Sequence, residues 1–173
     1  MNETISELIK VTLSIPKFKP FNLDYRQPPG QAYGMILEEK ILEALYANNI
    51  KFDERTNAHV PWDLCINNIF INIKVANEWT DYTKKALCSI KNLIKHYKNN
   101  PDNTLYCLIF EYIKHDDATV SFSGNYIFES YANADIYKYN NRIYLPNGYV
   151  KSFTKNRSIN EFINELESFN TWD

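Results

Sequence analysis

Apolar residues recur along this chain at two periods, and the switch between them separates helices from strands. Ile5, Leu8 and Ile9 follow helical spacing, and Thr4-x-x-Glu7 has the form of a capping box, so a short helix is expected to open the chain and to end at Pro16. Pro20, Pro28, Pro29 and Gly30 make Lys17 to Gln31 an irregular loop. The helical period returns from Gly34 to Ala47, where Leu37, Ile41, Leu42 and Leu45 form a stripe that also contains Glu38.

Beyond Pro61 the period falls to two. Asn67-Asn68 separates the apolar runs Trp62 to Ile66 and Ile69 to Ala76, and suits a two-residue turn that needs positive φ, so a hairpin is expected. Asp81 can cap a helix reaching about Lys98, with Leu87, Ile90, Ile94 and Tyr97 on its buried face and Lys84, Lys91, Lys95 and Lys98 on the other. "TLYCLIFEYI", Thr104 to Ile113, is the near-continuous apolar run of a strand covered on both faces. Strand, helix and strand in this order imply a right-handed parallel crossover. "TVSFSGNYIFE" and "DIYKYNNRIYLP" read as further strands, the second a hairpin turned at Asn140-Asn141. A second capping box, Ser158 to Glu161, opens a last helix with Ile159, Phe162, Ile163 and Leu166 inward. The expected fold class is α/β, a central mixed β-sheet flanked by helices on both sides.

Composition narrows the picture without naming an activity. A length of 173 residues with 45% hydrophobic and 23% charged content suits one compact domain. The formal charge of -2 provides no global basic field, so a nucleic-acid partner would need a local patch. Cys65, Cys88 and Cys107 are far apart and set among apolar residues, which suits buried free thiols. His59, His96 and His115 have no second ligand at metal spacing and read as surface or loop residues. The first residues lack a basic segment followed by an apolar run, and no apolar stretch reaches bilayer length, so a cytoplasmic protein is expected.

Chemistry enters with the hairpin. If Asn67-Asn68 is the turn, Asp63 falls opposite Asn72, and strand alternation puts Lys74 on the same face. Either this face is simply solvated, or it is a polar cluster in an apolar setting. Phe70 and Ala76 share the face, which favours the second reading, and buried charges need partners. Asp63 and Lys74 can pair, with Glu38, or its neighbour Glu39, joining from the preceding helix.

Gly34-x-x-x-Glu38, then Pro61-x-Asp63, then Asn72-x-Lys74, followed by a crossover helix and strand, resembles the PD-(D/E)xK nuclease superfamily. In size and layout the chain is similar to a small Type II restriction endonuclease, with the likeness covering about Gly34 to Ile113. One position departs: Asn72 stands where the pattern has its second acidic residue, a place where some restriction enzymes of the superfamily carry an amide. The resemblance implies a restriction-endonuclease-like αβα core and Mg2+-dependent hydrolysis of double-stranded DNA to 5' phosphates by a homodimer. It implies Asp63, Asn72 and the carbonyl of Ile73 as metal ligands, and Asp63, Asn72, Lys74 and Glu38 as the catalytic set, with Glu78 the substitute should Asn72 not serve. It further divides the chain into an N-terminal helix and loop (1–33), a catalytic core (34–113) and a C-terminal part for DNA recognition or dimerisation (114–173). DNA contacts are expected among Arg55, Asn57, His59, Asn77, Glu78, Trp79, Lys151, Lys155, Asn156 and Arg157. Tyr126, Phe128, Tyr137 and Tyr139, at strand spacing, are assigned to core rather than to base stacking. A junction resolvase or repair nuclease of the same fold, and a non-catalytic DNA-binding module, are the alternatives.

Overall fold

A computed structural model describes residues 2–20, 30–77, 85–101 and 104–170, and the structural statements here concern those residues. The Asn67-Asn68 turn forms as its residue types require, with φ of 49° and 65°. Strands β2 (Leu64–Ile66) and β3 (Ile69–Ala76) leave it in the register Ile66 to Ile69, Cys65 to Phe70 and Leu64 to Ile71. β1 (Asp53–Glu54) flanks β2. β5 (Thr104–Lys114) runs parallel to β3, as the strand, helix, strand pattern implied, and β6 (Val120–Ser130) pairs antiparallel with β5. The result is a five-stranded mixed sheet in the order β1-β2-β3-β5-β6.

Alternation along the strands feeds two cores. Ile71, Ile73, Leu108 and Phe110 pack with Leu8 of α1 (Glu3–Leu13) and Leu37, Ile41 and Leu45 of α2 (Gly30–Ala47). Phe70, Ala76, Cys107 and Ile109 pack on the other side with Leu93 and Tyr97 of α3 (Ile90–Asn99) and Phe162 and Leu166 of α4 (Ile159–Asn170). All three cysteines are buried and free. Burial pushes the Cys88 and Cys107 thiols up to about 12, which makes them packing residues and not nucleophiles.

Several expectations are corrected. Asn2 caps α1, its side chain accepting from the Thr4 N–H at 2.7 Å, and α2 begins at Gly30, one turn before Gly34. The helix expected from Asp81 begins instead at Ile90, where Ser89 Oγ accepts from the Asn92 N–H at 3.4 Å. Residues Lys85 to Ser89 form strand β4, because the antiparallel partner β8 (Arg142–Leu145) satisfies their backbone groups; Asp81 and Lys84 lie outside the described residues. The hairpin at Asn140-Asn141 forms, but β7 (Tyr137–Tyr139) and β8 join β4 in a separate three-stranded sheet, so there are two sheets where one was expected. His96 is buried between Phe70 and Tyr97, and Tyr126 and Tyr139 are exposed. Ser158 Oγ caps α4 as its sequence suggests, accepting from Glu161 N–H at 3.1 Å. No helix among the described residues is long and apolar enough to cross a membrane.

The register of β3 depends on the positive φ of the turn. Asn68→Val should lower the unfolding free energy by about 1–2 kcal/mol, while Asn68→Gly should leave it equal or higher, as measured by urea denaturation.

Candidate active site

The site arises where β2 parts from β3. Leu64, the first residue of β2, lies opposite Ile71, yet the Asp63 N–H before it also donates to the Ile71 carbonyl, at 2.8 Å, so the chain is bent out of the ladder at Asp63. Its carboxylate then turns back, and Oδ2 accepts from the Ile73 N–H at 2.7 Å. With β2 ended, that N–H faces no strand, and the carboxylate supplies the acceptor a neighbouring backbone would have given. Asp63 therefore lies at the edge of β3. The extrapolated ladder, which put it on the face opposite Asn72, stops one residue too soon for that.

Asn72 and Lys74 occupy successive positions on the face of β3 that carries buried Phe70 and Ala76, paired in register with Cys107 and Ile109. Both are half-buried, so this face is not a solvated one. The Asn72 Nδ2 donates to the Pro61 carbonyl at 3.1 Å, tying the Pro61-x-Asp63 segment to the Asn72-x-Lys74 strand. Its Oδ1 is buried with no donor among the described residues. Such an orphaned acceptor costs desolvation energy unless something else occupies it.

Glu38 approaches from α2, on the Ile71 and Ile73 side of β3, and meets Asp63 at the cleft. The helix passes close over β3 at Gly34, where an added methyl would rest 3.9 Å from Val75. Burial pushes the half-buried Glu38 carboxyl up from its ordinary 4.5 to about 7; Lys74 opposes the shift, Asp63 adds to it, and Arg55 opposes it. Burial raises Asp63 as well, against the pull of the Ile73 N–H, Lys74 and Arg55. The Arg55 guanidinium lies 4.0 Å from Asp63 Oδ1. Glu39 is exposed, so of the two glutamates Glu38 is the one drawn into the charge cluster. Glu38, Arg55, Asp63 and Ile73 together line a cleft of about 520 Å3 between α2 and the strands.

Among the described residues no three His, Cys, Asp or Glu side chains gather as a metal site. The donors present are two carboxylates, an unpartnered amide oxygen and the peptide oxygens of β3, all hard ligands of the kind Mg2+ takes alongside water. That donor set fits Mg2+.

The remaining expected site residues are scattered. Arg55 sits beside Asp63, whereas Asn57 is exposed, with its side-chain oxygen accepting from the His59 N–H at 2.8 Å. Asn77, Lys151, Lys155 and Asn156 are exposed; Glu78 and Trp79 lie outside the described residues. Arg157 is an internal tether: its guanidinium donates to the Ala132 and Ala134 carbonyls and to Glu165, and lies over the Phe162 ring. Two links were missed from the sequence, Arg55 with Asp63 and Asn72 with Pro61. Both pairs had been singled out residue by residue, but no spacing rule joins a loop carbonyl to a strand amide.

No family model matches this chain, and no curated protein sequence does. Among solved structures 32 chains match, one of them the NlaIV restriction endonuclease, aligned over 92% of this chain and 74% of that one with a TM-score of 0.59. The fold is restriction-endonuclease-like. At 17% identity the likeness is one of backbone, and the restriction-endonuclease-like core places Glu38 on α2 and Asp63, Asn72 and Lys74 on or beside the β2–β3 hairpin.

Two outcomes follow from the site's electrostatics. Between pH 4.5 and about 7 the folded chain keeps a proton on Glu38 that the unfolded chain has released, so stability falls as pH rises through that window. In metal-free buffer Glu38→Gln should therefore raise stability at pH 8 by up to roughly 3 kcal/mol and have little effect at pH 4, read by urea denaturation at both values. Asn72→Asp would set a carboxylate oxygen against the Pro61 carbonyl in place of a donor. A loss of about 1–3 kcal/mol at neutral pH is expected without metal, smaller below pH 4 where the new carboxyl can donate.

Proposed function

We propose that this protein is a Mg2+-dependent endonuclease of the Type II restriction kind, which hydrolyses double-stranded DNA and leaves 5' phosphates. The observation that carries the reading is the electrostatic linkage of Glu38, Asp63 and Lys74 about one fork of a restriction-endonuclease-like sheet, where Glu38 and Asp63 line an open cleft and the Asn72 amide stands next on β3. Structural ion pairs also perturb carboxyls; here two raised carboxyls at a cleft are joined by a buried amide oxygen without a donor among the described residues, which adds support to a functional site.

In this reading Asp63, the Asn72 Oδ1 and the Ile73 carbonyl hold the ion. Bound Mg2+ supplies charge neutralisation at the scissile phosphate and a lower pKa for the attacking water. Lys74 presents its ammonium to the same phosphate, where it stabilises charge that grows in the transition state. Glu38 completes the acidic side of the cleft; with its carboxyl near 7, proton and metal compete there at neutral pH. Arg55 holds Asp63 while no ion is bound and is free to take a DNA phosphate once the carboxylate is engaged. Asn57, Asn77, Lys151 and Lys155 are the further DNA contacts. Two strands require two sites, so the active species is a homodimer whose two-fold axis matches that of the duplex.

The test is incubation of plasmid and mixed genomic DNA with the protein and Mg2+, followed by sequencing of the ends. Discrete fragments sharing one terminal sequence are expected; cutting confined to branched or damaged DNA would replace the restriction reading by a resolvase or repair one. Lys74→Ala should reduce the cleavage rate by about a hundredfold or more with duplex binding in Ca2+ unchanged, and a loss smaller than about tenfold would remove Lys74 from the chemistry. At limiting Mg2+ the rate should climb with pH up to about 7, and saturating Mg2+ should move that limb to lower pH, as expected when the ion displaces a proton from Glu38.

A further inference from the structure

The segment from Arg55 to Asp63 has two sides. One borders the cleft that holds Glu38 and Asp63; the other closes a separate cavity of about 330 Å3 against α3. Its floor is aromatic: Trp62 and Phe70 meet at 5.0 Å between centroids, and the His96 ring stands edge-on to Phe70 at 4.7 Å. Its wall is a stripe of α3 in which Asn92, His96 and Asn99 recur at helical spacing where an amphipathic helix against this floor would place apolar side chains.

These polar groups are largely uncommitted. The Asn92 and Asn99 amides bond to no described residue, and Asn92 is half-buried. His96 is 5% exposed, and its Nε2 is buried with no partner. Burial holds this imidazole at about 4, so it is neutral at physiological pH and offers one donor and one acceptor without charge. Lys95 is the one lysine or arginine among the described residues that line the cavity. A lining of aromatic rings and neutral amides, poor in charge, selects a flat ring with a hydrogen-bonding edge over a multiply charged anion.

We propose that this cavity is a nucleobase subsite, which takes one base of the substrate strand out of the duplex stack beside the phosphate held at Asp63. The inference rests on the nuclease reading and deepens it. Pro61 and Trp62 line the cavity, and Pro61 is tied through its carbonyl to Asn72, so a base seated there lies next to the proposed reacting centre and its phosphodiester leads directly towards Asp63. Lys95 meets the attached phosphate at the rim. Unstacking a base is costly, and the cost is offset by ring contact with Trp62 and Phe70 and by hydrogen bonds to Asn92 and His96.

The test uses the four 2'-deoxynucleosides as probes, with deoxyribose 5-phosphate as control, titrated into the full chain while the amide signals of Asn92 and the indole and imidazole signals of Trp62 and His96 are followed by NMR. At least one nucleoside should shift all three groups, the sugar phosphate should not, and saturating random-sequence duplex in Ca2+ should displace the nucleoside. Asn92→Leu, at a half-exposed helix position where leucine is the better helix former, should weaken nucleoside binding by about fivefold with the melting temperature preserved. If duplex binds and no nucleoside perturbs these signals, the subsite is overturned and the nuclease reading stands. A nucleoside that remains bound beside saturating duplex marks a small-molecule site and also overturns the subsite. If duplex neither binds nor is cut, it is the nuclease reading that fails.

Discussion

The hydrogen bond from the Ile73 N–H to the Asp63 carboxylate organises this molecule's candidate chemistry. A strand that loses its neighbour leaves backbone donors without acceptors, and leaving one unpaired in a half-buried place is expensive. Here the vacancy is filled by a side chain that is itself an anion. β2 can therefore end at Leu64 and the chain can swing away through Pro61, opening the cleft on one side of the segment and the cavity on the other. Were β2 to continue in register, Asp63 would be one more ladder residue and the fork would close.

The fork concentrates charge in a place that disfavours it. Glu38 and Asp63 are both pushed towards their neutral forms by burial, and Glu38 also by Asp63; Lys74 and Arg55, and at Asp63 the Ile73 N–H, only partly offset this. A cluster built for stability alone would be better served by apolar residues of similar volume. The cluster stands in the middle of a well-packed sheet, beside an amide oxygen with no donor among the described residues, and the cation of the proposed function would offset both costs.

The two cores make that arrangement tolerable. Ile71 and Ile73 anchor β3 under α1 and α2, while Phe70 and Ala76 anchor it under α3 and α4, so the polar residues between them are held by apolar neighbours on the same strand. The small second sheet adds Leu87, Ile143 and Leu145 to the α3 side, and Arg157 ties α4 to the Ala132 and Ala134 carbonyls. Rigid support of this kind holds the charged groups of the candidate site in place, and it gives Arg157 a structural role.

What the sequence determined by itself was local and periodic. Positive φ at Asn67, Asn68 and Asn140, which asparagine tolerates, turned both hairpins and so set their registers. The stripes of α2 and α4 and the apolar run of β5 followed from burial on one face or two, and with them the helix, hairpin and parallel-strand order that resembles a nuclease core. Residues 85–89 misled because Leu87 falls in phase with the stripe of α3 while Cys88 does not, and only the partner strand β8, more than 50 residues on, decides between helix and strand. The histidine at 96 has no metal-ligand spacing to mark it and reads as a surface residue, whereas its ring is buried against Phe70, a residue from another element. The same distinction runs through the site. Glu38, Asp63, Asn72 and Lys74 were legible as residue types at suggestive spacings, but the Asp63 carboxylate on Ile73, the Asn72 amide on Pro61 and the guanidinium of Arg55 at Asp63 are contacts between segments, set by where the strand ends and how the loop packs. Periodicity encodes which face a side chain takes; which partner it meets there is decided only when the whole chain has folded.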